Sequence, residues 1–231
     1  MLPIFSSLLS SEEKSVKIEH PLMDDRSILI KLKRRLNQKK PGLKAQLTMA
    51  PHPRPGQRIH TEAEETCLKA GVMLLIFPRD KEFRLVLTRR TATVLHHRDQ
   101  IGFPGGQFEP GENSERAALR ETLEEIGVPS QKLKIIGTLT PLYIPPSNYC
   151  IYPVVSAADE SLLFRPFPDE VAEIIEVPLR HFLDPRNIRR ETWTIRGEAV
   201  DVPFYAFAHH KIWGATAMVL AEFLEVLKST L

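Results

Sequence analysis

The stretch 106–128, GQFEPGENSERAALRETLEEIGV, holds the densest set of residues in this chain that could do chemistry. Wound as a helix at about 100° per residue, 113–126 sets Glu121 and Glu125 about 40° apart, with Glu124 about 60° to the other side of Glu121. The carboxylates then share one face. Each like-charged pair at this spacing costs the helix roughly 0.2–0.5 kcal/mol, so a cation has to balance them. Arg116 and Arg120 can contribute. Oxygen ligands at this density are also what Mg²⁺ or Mn²⁺ takes, above all where substrate phosphates complete the shell. The plain alternative is a solvated acidic helix face.

The same stretch encodes the helix that carries these groups. Asn113 or Ser114 can cap it, Glu115 suits its positive end, and Gly127 supplies the stop. Leu119, Leu123 and Ile126, flanked by Ala118 and Thr122, mark the side expected to pack on a sheet, while Ala117 leaves room among the carboxylates. Gly105 and Gly106 precede the helix and let the backbone bend close to ligands, which makes the Gly106 carbonyl an expected further metal ligand. Upstream, 72–77 and 84–88 are β-type runs joined by a turn at 78–81. Downstream, strands are expected at 132–142, 149–157 and 171–177, a short helix at 179–183, and a hairpin from 189–195 with 199–207. A closing helix, 212–228, presents the stripe Ala217, Leu220, Ala221, Leu224 and Leu227.

Ahead of all this, 25–37 is amphipathic, with Ile28, Leu29, Leu32 and Leu36 at helical spacing and Pro41-Gly42 as its stop. Such a helix needs a surface, either the following domain or a second subunit, so a homodimer stays open. A proline-punctuated connector follows, and the chain divides near 57–61 into an extension, 1–60, and a domain, 61–231. The order of elements predicts an α/β (α+β) fold, a mixed sheet sandwiched between helices.

A net charge of +2 hides an uneven distribution: 1–60 carries 12 Lys and Arg against 5 Asp and Glu, and 61–231 carries 19 against 24. The basic arm could meet a polyanion, but a solvated or docked arm is the expectation, with no nucleic-acid partner and no membrane. No apolar run reaches the roughly 18 residues of a membrane span, and MLPIFSSLLS lacks a basic leader region, so the protein is expected to be cytoplasmic. Cys67 and Cys150 form no CxxC pair and are read as buried, reduced thiols. His96-His97 and His209-His210 are weak metal signals, because consecutive strand positions point to opposite faces.

Gly106, Glu112, Arg120, Glu121, Glu124, Glu125 and Gly127 fall in the spacing of the Nudix box, and the stretch resembles that of the nucleoside-diphosphate-X hydrolases. Thr122 departs from it, standing where an apolar residue is usual. Upstream, Thr88, Arg90, His97, Gln100, Phe103, Pro104, Gly105 and Gly106 resemble the coenzyme A diphosphatase branch, from which Leu95 and Asp99 depart. Residues 41–51 and 212–217 favour the same branch. The resemblance implies a Nudix fold and a small nucleotide substrate. Its pyrophosphate would be attacked by water with divalent ions in attendance, splitting CoA or acyl-CoA into 3′,5′-ADP and the 4′-phosphopantetheine fragment. Glu121, Glu124, Glu125 and Gly106 would hold metal, with Arg120 orienting a glutamate and Glu112 supporting an outer metal or holding the loop. The general base would come either from the box or from a later loop, where Glu170 and Glu173 are the candidates, and Arg90, His97, Gln100 and Phe103 would bind substrate. ADP-ribose and dinucleotide polyphosphates are the rival substrates, and a non-catalytic nucleotide sensor is the rival class.

Overall fold

The computed structural model describes residues 26–53, 66–91 and 100–231. In chain order, α1 (Ser27–Leu36) and α2 (Leu43–Gln46) lead to β1 (Leu68–Arg79), β2 (Glu82–Arg90), β3 (Ile101–Gly102) and β4 (Gly105–Gln107). Next come α3 (Ser114–Ile126), β5 (Lys134–Thr138), β6 (Leu142–Ile144), β7 (Tyr149–Ala157) and β8 (Val171–Pro178). The chain ends with α4 (Leu179–Leu183), β9 (Ile188–Ile195), β10 (Glu198–Phe207), β11 (His210–Trp213) and α5 (Gly214–Lys228).

The expected mixed sheet is present, in the order β3-β2-β1-β7-β5, with β4 on β1, β6 on β7 and β8 on β2. Its β1–β7 pairing is parallel, and the others are antiparallel. Residues 73–77 of β1 are wholly buried because helices cover both faces. Leu74 and Ile76 join α1 and α5 in one core, while Met73, Leu75 and Phe77 join Ala118 and Ile126 of α3 in the other. The β1–β2 turn places Asp80 and Lys81 at φ 52° and 62°, the left-handed conformation a two-residue hairpin loop requires. A second sheet, β11-β10-β9, lies beside the first.

Helix α1 docks on the sheet through Ile28, Leu32 and Leu36, which belong to the same core as α5. A Cβ on Gly137 would stand 2.7 Å from Leu36 Cβ, so the glycine in β5 sets how closely α1 approaches. Glu222 of α5 is completely buried and collects its hydrogen bonds from far along the chain. Gly42 N, Gln46 Nε2, Thr140 N and Thr140 Oγ1 all donate to it, at 2.7–3.4 Å.

Several expectations are corrected. Run 132–142 is two strands, because Thr140 turns its N–H to Glu222 and Pro141 has none to give. Ile212 and Trp213 are strand, paired with Tyr205 and Phe204, and the helix begins only at Gly214, φ 62°. Within α3 the buried residues are Ala117, Ala118, Thr122, Glu125 and Ile126, while Leu123 is half exposed. The small residues face the sheet because Gly71 of β1 lies directly beneath, where a Cβ would meet Ser114 O at 2.7 Å and Ala117 Cβ at 3.1 Å. Thr122 tolerates burial by giving its hydroxyl to Ala118 O at 2.6 Å.

Cys67 and Cys150 form a disulfide, correcting the reading as free thiols. The parallel register sets Lys69 beside Cys150, which brings Cys67 to a Cα–Cα distance of 5.8 Å across a sequence separation of 83. Among the described residues no helix is long and apolar enough to cross a membrane.

Candidate functional site

Asn113 Oδ1 accepts from Arg116 N at 2.9 Å, and Gly127 closes α3 in the left-handed conformation, so cap and stop fall where the residue types place them. Between them Arg120 gathers the acidic groups. Its Nε and Nη2 bind Glu112 at 2.9 and 3.0 Å, its Nη1 binds Glu121 at 2.7 Å and Glu124 at 3.0 Å, and Nη2 reaches Gln107 O at 2.9 Å. Hydrogen bonding from Arg120, and then from the Glu109 backbone, holds the Glu112 carboxyl below its usual range. Arg120 and Glu112 therefore tie α3 to the end of β4. Arg120 thus faces carboxylates rather than open space.

Glu121 lies directly over Gly106, where a Cβ would stand 2.2 Å from Glu121 Oε1. Burial raises the Glu121 pKa, Arg120 opposes the rise, and the Glu124 and Glu170 carboxylates add to it. Glu125 is 2% exposed. Burial pushes its pKa up to about 8 against the pull of Arg90, with Glu121 and Glu170 adding to the rise and the Gly105 N–H opposing it. Arg90 Nη1 is 3.3 Å from Glu125 Oε1, while Glu125 Oε2 is buried with no partner. Glu124 stands at the rim, its side chain 55% exposed.

Glu170 lies near enough to add to the raised pKa of both Glu121 and Glu125. Its turn is held by Phe167 N–H to Glu125 O at 2.9 Å, Glu170 N–H to Phe167 O at 3.1 Å and Thr91 N–H to Glu170 O at 3.0 Å. Glu173 is elsewhere, bonded to Arg89 and His210 on the other face of β8. Adjacent Arg89 and Arg90 are divided in the same way, one to each face.

The register turns the Gly106 carbonyl, expected as a metal ligand, away from the free side of β4. Met73 N–H to Pro104 O and Phe108 N–H to Lys69 O flank the Gly71–Gly106 pair, so the Gly106 peptide groups turn toward β1. Gly105 instead donates its N–H to Glu125 and presents its backbone on the free side of β4. Gly71 is the residue that sequence reasoning passed over. A lone glycine directly before the β-type run 72–77 was the available signal.

Of the expected substrate residues, Arg90 reaches the cluster. Phe103 is 7% exposed within the α5-side core and supports the turn into Pro104-Gly105. Gln100 O accepts from Arg90 N at 3.1 Å. His97, Leu95 and Asp99 lie outside the described residues.

This arrangement suits a hard divalent cation, with clustered carboxylate oxygens, one of them buried without a partner, and glycine backbone at the closest approach. Residues 68–196 match the family described as NUDIX domain. A protein named Nudix hydrolase NudL, described as uncharacterized, from Photorhabdus laumondii is 38% identical over 154 residues, covering 66% of this chain and 81% of that protein. The protein of the same name from Citrobacter koseri is 33% identical over 160 residues, covering 67% and 80%. Among solved structures, the Nudix hydrolase RenU from M. smegmatis aligns with TM-score 0.45 at 20% identity over 71% of this chain and 85% of that one. A C. elegans Ap4A hydrolase complex aligns with TM-score 0.42 at 19% identity over 50% and 83%.

Proposed function

The chain belongs to the Nudix family, and from that premise we propose that this pyrophosphohydrolase cleaves coenzyme A or an acyl-CoA into 3′,5′-ADP and the 4′-phosphopantetheine fragment. The observation that carries the substrate is one of placement. The described ends of the segment that resembles the CoA diphosphatase branch, Arg90 on β2 and Gly105-Gly106 on β4, both lie at the acidic cleft, which supports this reading.

In this reading Glu121, Glu124 and Glu125 hold Mg²⁺ or Mn²⁺, with the Gly105 carbonyl in the place first expected of Gly106. When bound, the ion supplies positive charge against the pyrophosphate and lowers the pKa of water. The chain's own residues do the rest. Arg120 keeps Glu121 and Glu124 in place against their mutual repulsion. Glu170 takes a proton on its carboxylate from the attacking water. The water oxygen bonds to one phosphorus as the bridging P–O bond breaks, and the other phosphate leaves with the electron pair. Arg90, with Gln100 and His97, meets the phosphates of the substrate, and Phe103 holds the turn that carries Gly105. Residues 1–60 form the extension and 61–231 the catalytic domain.

The test is chromatography of products from CoA, several acyl-CoAs, dephospho-CoA, ADP-ribose and a dinucleotide polyphosphate at equal concentration with Mg²⁺. CoA or an acyl-CoA is expected to show the highest kcat/KM, with dephospho-CoA poorer because it leaves the cations meant for the 3′-phosphate unpaired. A higher kcat/KM for ADP-ribose or the dinucleotide would remove the CoA assignment and leave the hydrolase.

A further inference from the structure

On the face of β8 opposite the acidic cleft, three side chains with metal-binding chemistry converge. The β10–β11 turn runs through Ala208, φ 50°, and His209, and Phe207 pairs with His210. This turn breaks the strand alternation that would separate consecutive histidines. The two rings come within 3.9 Å of each other, centroid to centroid. His210 is 7% exposed and places Nε2 3.1 Å from Glu173 Oε1 on β8, while His209 is exposed to solvent. One ligand atom from each of Glu173, His209 and His210 lies within 4.8 Å of the other two.

We propose that Glu173, His209 and His210 form a second divalent-metal site of the zinc class, separate from the acidic cleft and clamping the β10–β11 turn to β8. Two imidazoles and a carboxylate are the donor set that Zn²⁺, Co²⁺ and Ni²⁺ accept and that Mg²⁺, which prefers oxygen, declines. Three protein ligands leave a position open for water. His210 and Glu173 are already fixed against each other, and closing the remaining distance to metal–ligand bonds of about 2.0–2.2 Å falls to His209, whose exposed side chain has room to move. Arg89 Nε holds Glu173 Oε2 at 3.1 Å. It orients the carboxylate as an outer partner does, and its charge tempers the affinity for a cation.

The site thus divides the two faces of one strand pair by ion chemistry. The carboxylates beside Arg90 suit a hard ion, and the histidines beside Arg89 suit a borderline one. An ion on the histidine side would stiffen the hairpin that feeds β11 into α5.

The experiment uses the full chain stripped by chelator and returned to saturating Mg²⁺, so that the acidic cleft is occupied before Co²⁺ is added. Wild type is expected to take up one equivalent of Co²⁺ with visible d–d absorption, which Zn²⁺ displaces, and its Tm is expected to rise with Zn²⁺. His209→Ala removes an exposed ligand without disturbing the core. It is expected to weaken Co²⁺ binding by at least about 100-fold and to abolish the Zn²⁺ shift in Tm. Glu125→Gln is expected to leave the cobalt spectrum unchanged. Equal affinity and spectrum in wild type and His209→Ala would overturn the proposal. So would loss of the cobalt signal in Glu125→Gln alone, or no uptake by the Mg²⁺-loaded wild type at about 0.1 mM Co²⁺.

Discussion

Replacing Glu125 with glutamine separates what the carboxylate does for the reaction from what it does to the fold. In the metal-free protein its pKa stands at about 8, up from 4.5, mainly because it is buried. A carboxyl with a raised folded-state pKa stabilises fully below its unfolded pKa and loses that contribution as pH rises toward the folded value. The window here runs from 4.5 to about 8. A shift of this size corresponds to ~5 kcal/mol across the whole window, of which ~3 kcal/mol falls between pH 5.5 and 9. Glutamine has no such slope. Urea denaturation with chelator is therefore expected to show wild type losing ~3 kcal/mol relative to Glu125→Gln between those two pH values. Saturating Mg²⁺ is expected to return much of that stability to wild type and little to the variant. Turnover of the best substrate is expected to fall about 10³-fold or more, given what a catalytic ion contributes. Parallel pH–stability curves for the two metal-free proteins would refute the electrostatic reasoning. Near-normal turnover in the variant with metal bound would refute the placement of the ion.

Gly106→Ala puts a methyl 2.2 Å from Glu121 Oε1, and turnover is expected to drop at least about 100-fold with weakened Mg²⁺ binding; activity within a few-fold of wild type would show that the carboxylate can move aside freely. Glu170→Gln is expected to lower kcat by about 10²–10⁴-fold, whereas Glu173→Gln stays within a few-fold, as a steady-state comparison at several pH values will show. Replacing Cys67 and Cys150 by serine is expected to cost ~4–5 kcal/mol in urea unfolding, the chain-entropy value for a closed loop of this length; an unchanged midpoint and slope would mean that the bridge constrains nothing the sheet has not already fixed.

Local chemistry made much of this molecule legible before its structure. The cap at Asn113, the stop at Gly127 and the clustering of Glu121, Glu124 and Glu125 depend on residues a few positions apart, and they stand as expected. Which side of α3 faces the sheet depends on Gly71, remote in sequence: Leu119 packs on the sheet-side core as expected, while Leu123 was the wrong guide. The disulfide depends on the parallel register of β1 with β7, which no spacing of two cysteines discloses. His209 and His210 were dismissed on strand geometry, and a left-handed residue at Ala208 cancels that geometry. Run 132–142 was cut by Thr140 answering a carboxylate 82 residues away. The pattern is physical: dihedral and capping preferences act within a turn or two, while partner choice is settled by the assembled sheet.

The hydrogen bonds to Glu222 set an order of events during synthesis. Gly42 and its acceptor are separated by 180 residues, close to the length of the chain. Helix α1 and the turn at Gly42 are synthesised well before α5, which carries Glu222. At about 5–20 residues per second the wait is roughly 10–40 s. For that time the amide of Gly42 and the side chain of Gln46 have no Glu222 to bind, and Ile28, Leu32 and Leu36 lack the α5 part of the core they share with the sheet. Closure of that core thus waits for α5, and a chain that stalls before α5 is complete leaves part of the apolar stripe of α1 without its cover.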